Sequence, residues 1–183
     1  MTSSPAWTVT KAVATDAPDV RAFLLNIFER DYGYGYRAEW HTDLDNFSDV
    51  YVHHPRHMML IARRPDRPVV GTAGLRIGFP KPAAHPVAIQ RRYLDLSRVA
   101  EIIRVATDPT ARRSGLASTL VHELLRLAAH DTDSISLHTN ALVPSAVPFW
   151  RSVGMTEIYD SGTQNHDGAL LHTVYFESNL RSG

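Results

Sequence analysis

Between Trp7 and Val13 apolar and polar residues alternate, as they do on a strand with one buried face. After Thr15-Asp16-Ala17-Pro18 the apolar positions become Val20, Phe23, Leu24, Ile27 and Phe28, which is helical spacing behind a helix-start signal. A strand followed by an amphipathic helix is therefore predicted. Residues 31–49 mix Tyr32, Tyr34, Tyr36, Trp40 and Phe47 with polar side chains, and Gly33 and Gly35 interrupt regular structure, so a loop and a short second helix are expected there. Met58 to Ala62 and Val69 to Ile77 read as two strands joined by the turn Arg64-Pro65-Asp66-Arg67-Pro68, an antiparallel hairpin. Pro80, Pro82 and Pro86 make Phe79 to Ser97 an irregular connection.

Glu101 to Thr107 reads as a buried strand. Leu116, Leu120, Leu124 and Leu127, with Ala117, Val121 and Ala128 beside them, then form a broad apolar stripe through to His130, the pattern of a helix packed on a sheet. Ile135 to His138 is a short strand. Ser145 suits an N-cap, which puts Pro148 in a first helical turn, and Gly154 ends that helix. Thr156 to Tyr159 and Ala169 to Glu177 supply two more strands, separated by a polar turn from Ser161 to Gly168.

At 183 residues the chain is expected to form a single domain over 1–183. Lysine plus arginine number 19 and so do aspartate plus glutamate, a balance that argues against a nucleic-acid or anionic-membrane binder and confines any cationic function to a local patch. Cysteine is absent, which excludes disulfides, thiolate ligands and an acyl-cysteine intermediate. Met1-Thr2-Ser3-Ser4-Pro5 has neither a basic segment nor an apolar stretch, and no later run is long enough to cross a bilayer, so a soluble, cytoplasmic protein is expected. His53, His54 and His57 cluster among ten histidines, but Pro55 interrupts the helix that would align them and no glutamate completes a metal motif; no metal is expected.

The buried strand runs into Arg112-Arg113-Ser114-Gly115-Leu116-Ala117-Ser118, and the amphipathic helix leaves it. The first N–H groups of a helix have no intrahelical partner and carry the positive end of its dipole, so anions bind there. Gly115, with small Ser114 and Ala117, lets a phosphate approach the backbone, and Arg112 and Arg113 add forked cationic donors. A ligand bearing a diphosphate is the expected occupant.

The spacing Arg112, Gly115, Ala117 after a strand resembles the [Q/R]-x-x-G-x-[G/A] motif of the GNAT acyltransferases. Thr107-Asp108-Pro109 resembles that family's V-x-P lead-in, with threonine in place of valine, and Ala146-Val147-Pro148-Phe149-Trp150-Arg151-Ser152-Val153-Gly154-Met155 resembles its A-x-x-F-Y-E-K-x-G-F segment. The resemblance spans roughly residues 58 to 178. It implies an α+β, three-layer fold: a mixed, mostly antiparallel, twisted sheet of six or seven strands flanked by about four helices. It also implies acetyl-CoA as co-substrate, its pantetheine arm bonded to the backbone of Val105, Ala106 and Thr107, with the helix of the second segment packed on the arm's other side and the flanking strands splayed.

Acetyl transfer to an amine needs a base, because an alkyl amine of pKa near 10.4 must lose a proton at a cost of about 4.6 kcal/mol at pH 7. Glu101 is six residues before Thr107, and strand alternation puts it on one face with Ile103, Val105 and Thr107; desolvation there is expected to raise its pKa. In the histone-acetylating branch of the family a glutamate at this spacing is the general base, and Ala100-Glu101-Ile102 is similar; the alternative is an ion pair with Arg104 or Arg92. The main-chain N–H near Val105 is the expected oxyanion donor.

Many members have a tyrosine acid where this chain has Trp150, so Tyr159, Tyr175, Ser145 and water stay open as proton donors. The family's asparagine seven positions earlier is Val143 here, and Asn140 is the expected replacement as a cofactor contact. The segment Tyr32 to Trp40, with His41, Asp43 and Asp45, offers aromatic walls and acids for a cationic acceptor, or else covers a sheet edge. The function expected is acetyl transfer to a primary amine of a small molecule, without nucleic-acid or membrane partners and with a homodimer compatible. Another acyl-CoA, a protein amine, or a silent CoA-binding module are the alternatives.

Overall fold

The computed structural model describes residues 7–65, 67–79, 85–166 and 169–180. In chain order the elements are β1 (Thr8–Lys11), α1 (Ala17–Tyr32), α2 (Ala38–Asp45), β2 (Met58–Arg64), β3 (Arg67–Ile77), α3 (Val87–Gln90), β4 (Val99–Thr107), α4 (Leu116–Ala128), β5 (Ser134–Asn140), α5 (Ala146–Ser152), β6 (Thr156–His166) and β7 (Ala169–Asn179), with short 3-10 and π turns between them. The strands form one sheet of order β1-β2-β3-β4-β5-β7-β6. The β1–β2, β2–β3, β5–β7 and β6–β7 pairs are antiparallel and β4–β5 is parallel, the α+β mixed sheet that was expected. Among the described residues no helix is long and apolar enough to cross a membrane.

The chain divides into two compact units, Met1–Leu75 with Arg104–Leu124, and Arg76–Ile103 with Leu125–Gly183. In the first, the predicted hairpin β2–β3 carries buried Met59, Leu60, Ile61, Val70 and Ala73, and α4 buries Leu116, Leu120 and Leu124 of its stripe. Gly71 on β3 lets α4 approach closely: a Cβ there would lie 3.0 Å from Leu116 Cδ2 and 3.1 Å from Leu120 Cδ1. Helix α1 has its proline in the first turn and ends on Gly33, whose left-handed φ of 72° lets its N–H reach Glu29.

In the second unit β5 pairs with β7 along its whole length, from Ser134↔Asn179 to Asn140↔Thr173. Phe79, Ile89, Val99 and Tyr175 form a core cluster with Tyr93, Leu96, Ile158 and Tyr159 packed on it, and this cluster tethers the irregular connection that contains α3. Two local expectations are corrected. The run from Ser161 to His166 continues β6 as a strand paired to β7 through Thr163↔His172, Gln164↔Leu171 and Asn165↔Leu170; residues 167–168 lie outside the described ones. At the edge of a sheet the pairing is made by the backbone and needs no apolar alternation. Ser145 precedes α5 but makes no side-chain cap and has helical φ/ψ of −85°, −13°. Pro148 does lie in the first turn, and Gly154, with φ 86°, follows the helix end.

Candidate active site

Strand β4 is irregular at its middle. Its recorded pairs with β5 are Val99↔Ser134, Ala100↔Ile135 and Glu101↔Ser136, and none follows Glu101 among the described residues. Three residues on, Arg104 takes a left-handed φ of 56°, which costs a non-glycine residue about 1–2 kcal/mol. Its side chain holds it there. Nε and Nη2 donate to the two carboxylate oxygens of Asp43 at 3.0 and 2.7 Å, Nη2 also donates to the Trp40 carbonyl at 2.6 Å, and the guanidinium lies over the Phe28 ring. The Arg104 carbonyl accepts from Thr72 Oγ1 at 2.7 Å, and Asp43 accepts a further bond from Tyr51. Although burial opposes charge, Asp43 keeps the Arg104 pKa raised. The left-handed residue breaks the alternation that was expected to put Glu101 and Val105 on one face.

Val105, Ala106 and Thr107 follow, all partly buried, and Asp108 caps the next turn by accepting from the Thr110 N–H at 2.8 Å. Arg113 (φ 59°) and Gly115 (φ 83°) are both left-handed, and no atom lies within 4 Å of where a Gly115 Cβ would stand. The loop therefore presents open backbone at the start of α4. The Ser114 hydroxyl is turned inward to the Ala111 carbonyl. Leu116 is buried against Gly71, which leaves its N–H as its contribution to the loop, and Ala117 and Ser118 are partly buried. Arg113 is exposed, whereas Arg112 is ion-paired with Asp31. Arg30 first, and then Arg112, hold the Asp31 carboxyl below its usual range.

In the second unit Glu101 is 2 % exposed and meets three cations or cation-formers. His138 Nδ1 lies 3.4 Å and His85 Nε2 3.9 Å from Oε1, and Arg76 Nη2 lies 3.5 Å from Oε2. The expected partners Arg104 and Arg92 are engaged elsewhere, with Asp43 and Glu177. The expected rise in the Glu101 pKa is reversed in direction: burial pushes it up, but His138, Arg76 and His85 together hold it below its ordinary value. Glu101 is thus ionised at neutral pH. His85, buried against Phe79 and Tyr175, has its pKa lowered chiefly by desolvation, and its Nδ1 has no partner among the described residues. His138 is half exposed. Neither histidine stood out in the sequence, since 53 positions separate them and only the β4–β5 register brings one of them beside Glu101.

Tyr175 lies against both imidazoles, with ring centroids 5.9 Å from His85 and 5.5 Å from His138. Desolvation, with Glu101 and Tyr159 nearby, pushes its phenol up to about 12. Trp150 is buried and packs edge-on to Phe149, a structural place. Asn140 Oδ1 accepts from the N–H groups of Leu142 (3.0 Å) and His172 (3.2 Å), so the side chain shapes its own turn.

The aromatic segment of the first unit makes many contacts within itself, although the buried His41 Nε2 has no partner among the described residues. Phe28 stacks on Tyr34 and Tyr34 meets Trp40 edge-on, Arg37 lies over Trp40 and Arg21 over Tyr36, while Asp43 holds Arg104 and Asp45 accepts from Tyr36. Phe28, Tyr36 and Trp40, and the acids Asp43 and Asp45, thus have the protein's own arginines as partners. His54 and His57 stack with centroids 3.4 Å apart.

The chain matches the family model "Acetyltransferase (GNAT) family" over residues 21–155. No curated protein matches it. Among solved structures it resembles an acetyltransferase of the GNAT family from Staphylococcus aureus, with a TM-score of 0.73 at 17 % identity, covering 96 % of this chain and 100 % of that one. It resembles the ribosomal-protein-alanine N-acetyltransferase of Brucella melitensis with a TM-score of 0.68 at 19 % identity over 94 % and 99 % of the two chains. The spermidine N-acetyltransferase of Vibrio cholerae, solved in complex with CoA and spermine, gives a TM-score of 0.67 at 15 % identity over 96 % of each.

Proposed function

The chain belongs to the GNAT acetyltransferase family, and from that premise we propose that it moves the acetyl group of acetyl-CoA to a primary amine of a small molecule by direct attack. The observation that carries this reading is Glu101: an ionised, buried carboxylate on β4, with a half-exposed imidazole beside it, four residues before the strand backbone that leads to an open glycine turn.

The N–H groups from Gly115 to Ser118 would hold the coenzyme's diphosphate, with the exposed Arg113 beside them and Arg112 shared with Asp31. The backbone from Val105 to Thr107 would pair with the pantetheine arm, and the N–H near Val105 would donate to the thioester oxygen. The amine nitrogen attacks the thioester carbon, its proton passes to the Glu101–His138 pair, and the C–S bond breaks to give the amide and the CoA thiolate. Since Glu101 is held below its usual pKa, it does not keep that proton at pH 7, and the solvent-facing His138 is the way out.

Tyr175 is a poor acid for the leaving group. A phenol near 12 and a thiol near 8.5 differ by about 3.5 pKa units, so the transfer is uphill by roughly 5 kcal/mol. The thiolate therefore leaves without help from this phenol, and Tyr175 orients the imidazoles.

Thiol release from acetyl-CoA, measured against a panel of polyamines, amino-sugar antibiotics, amino acids and short peptides, tests the reading. Release with a small amine and loss of it in Glu101→Gln support it. Release only with peptides moves the acceptor to a protein amine, and coenzyme binding without release for any amine leaves a silent binding module.

A further inference from the structure

His85, Glu101 and His138 are brought together from three separate stretches of the second unit, and their nearest ligand atoms, two imidazole nitrogens and one carboxylate oxygen, all lie within 4.8 Å of one another. Both nitrogens face the same oxygen. The separations, 3.4 Å from His138 Nδ1 and 3.9 Å from His85 Nε2, exceed the 2.7–3.2 Å of a good N–H···O bond. The His138 separation is near the spacing of atoms that share an ion, since bonds of about 2.0–2.1 Å in a tetrahedron put ligand atoms roughly 3.3 Å apart, and His85 reaches it by closing in about half an ångström. The second oxygen of Glu101 faces Arg76 at 3.5 Å, which fixes the carboxylate and leaves Oε1 as the ligating atom, the usual arrangement of an outer partner behind a metal-bound carboxylate.

We infer that His85 Nε2, Glu101 Oε1 and His138 Nδ1 form a three-ligand site for Zn²⁺ or a similar borderline divalent cation. Two imidazoles and one carboxylate suit Zn²⁺, and not Mg²⁺ or Ca²⁺, which take oxygen ligands in larger number. The inner two side chains are 6 % and 3 % exposed, and His85 is walled by Phe79 and Tyr175; His138, 48 % exposed, is the side of entry and leaves a fourth position for solvent. Arg76 offsets the charge of Glu101, so binding is reversible rather than structural. Where the acetyl-transfer reading holds, the ion occupies the oxygen that receives the amine's proton, and Zn²⁺ inhibits turnover.

The test is a titration of the full chain with Zn²⁺ against a chromogenic chelator, in wild type, His138→Gln and His85→Gln. One saturable equivalent in wild type, weakened at least about tenfold in either variant and not displaced by millimolar Mg²⁺, is the expected result. His85 is buried and its replacement can unfold the protein; His138→Gln, at a half-exposed position, keeps the test decisive, with thermal unfolding recorded for each. No saturable binding, or binding that both folded variants retain, overturns the site. Thiol release is then assayed with and without chelator: activity in chelator that Zn²⁺ suppresses in wild type supports the inhibitory role, and activity that Zn²⁺ leaves unchanged removes that role. Absence of activity in chelator with Zn²⁺ binding intact counts against acetyl transfer and not against the metal site.

Discussion

Glu101 Oε1 and His138 Nδ1 lie 3.4 Å apart across adjacent strands, yet the carboxylate side chain is 3 % exposed and the imidazole 48 %. One side of the pair is enclosed by the protein and the other meets solvent. Glu101→Gln keeps the shape and removes the charge. It should lower kcat/KM for amine acetylation by about 10²–10⁴-fold while acetyl-CoA binding in calorimetry changes less than about threefold. A variant of unchanged turnover would remove Glu101 from the mechanism.

Gly115 is left-handed with open space around it, so backbone conformation, not crowding, sets the cost of replacing it. Gly115→Asn, which tolerates that region, should bind CoA more tightly than Gly115→Ala, and Gly115→Glu should show no heat of binding because it sets a carboxylate where phosphate belongs. Equal affinities for the Asn and Ala variants would contradict the backbone account.

Asp43 is buried and takes a forked bond from Arg104. Asp43→Ala leaves that guanidinium buried without its carboxylate and should destabilise the protein by about 3–5 kcal/mol in urea unfolding. A loss below about 1 kcal/mol would mean that water reaches Arg104.

His41 is fully buried, stacked on Phe28, with Nδ1 accepting the Arg37 N–H at 2.9 Å. Burial first, and then Arg104, hold its pKa below the ordinary 6.5, outweighing Asp43 and Asp45; Arg21 acts in the same sense as Arg104. The unfolded chain therefore takes up a proton near 6.5 that the folded one refuses. Stability is unaffected above that pH, falls as pH drops below it by up to about 1.4 kcal/mol per unit, and levels off once the folded histidine is also protonated. Denaturant melts at pH 7.5, 6.5 and 5.5 should show this decline in wild type and a smaller one in His41→Gln.

Most strands, α1, α4 and the glycine turn before α4 were legible because each is written locally, in period-2 or period-3.6 spacing or in the run from Arg112 to Ala117. The Ser161 to His166 strand was not, since edge pairing leaves no apolar signal. At Glu101 the residue was readable but the sign of its pKa shift was not: desolvation is visible in the apolar neighbours, whereas His138, Arg76 and His85 approach from other segments. Likewise the ion pair of Arg112 with Asp31, 81 positions away, leaves no local signal in the sequence.

Position 104 must satisfy two demands with one side chain. Glycine would accept the left-handed backbone but abandon Asp43, and lysine would keep a charge but lose the fork that also reaches the Trp40 carbonyl. Neither replacement meets both demands, so Asp43 and Arg104 act as one unit. The left-handed turn inside β4 therefore depends on a carboxylate 61 positions away in the chain.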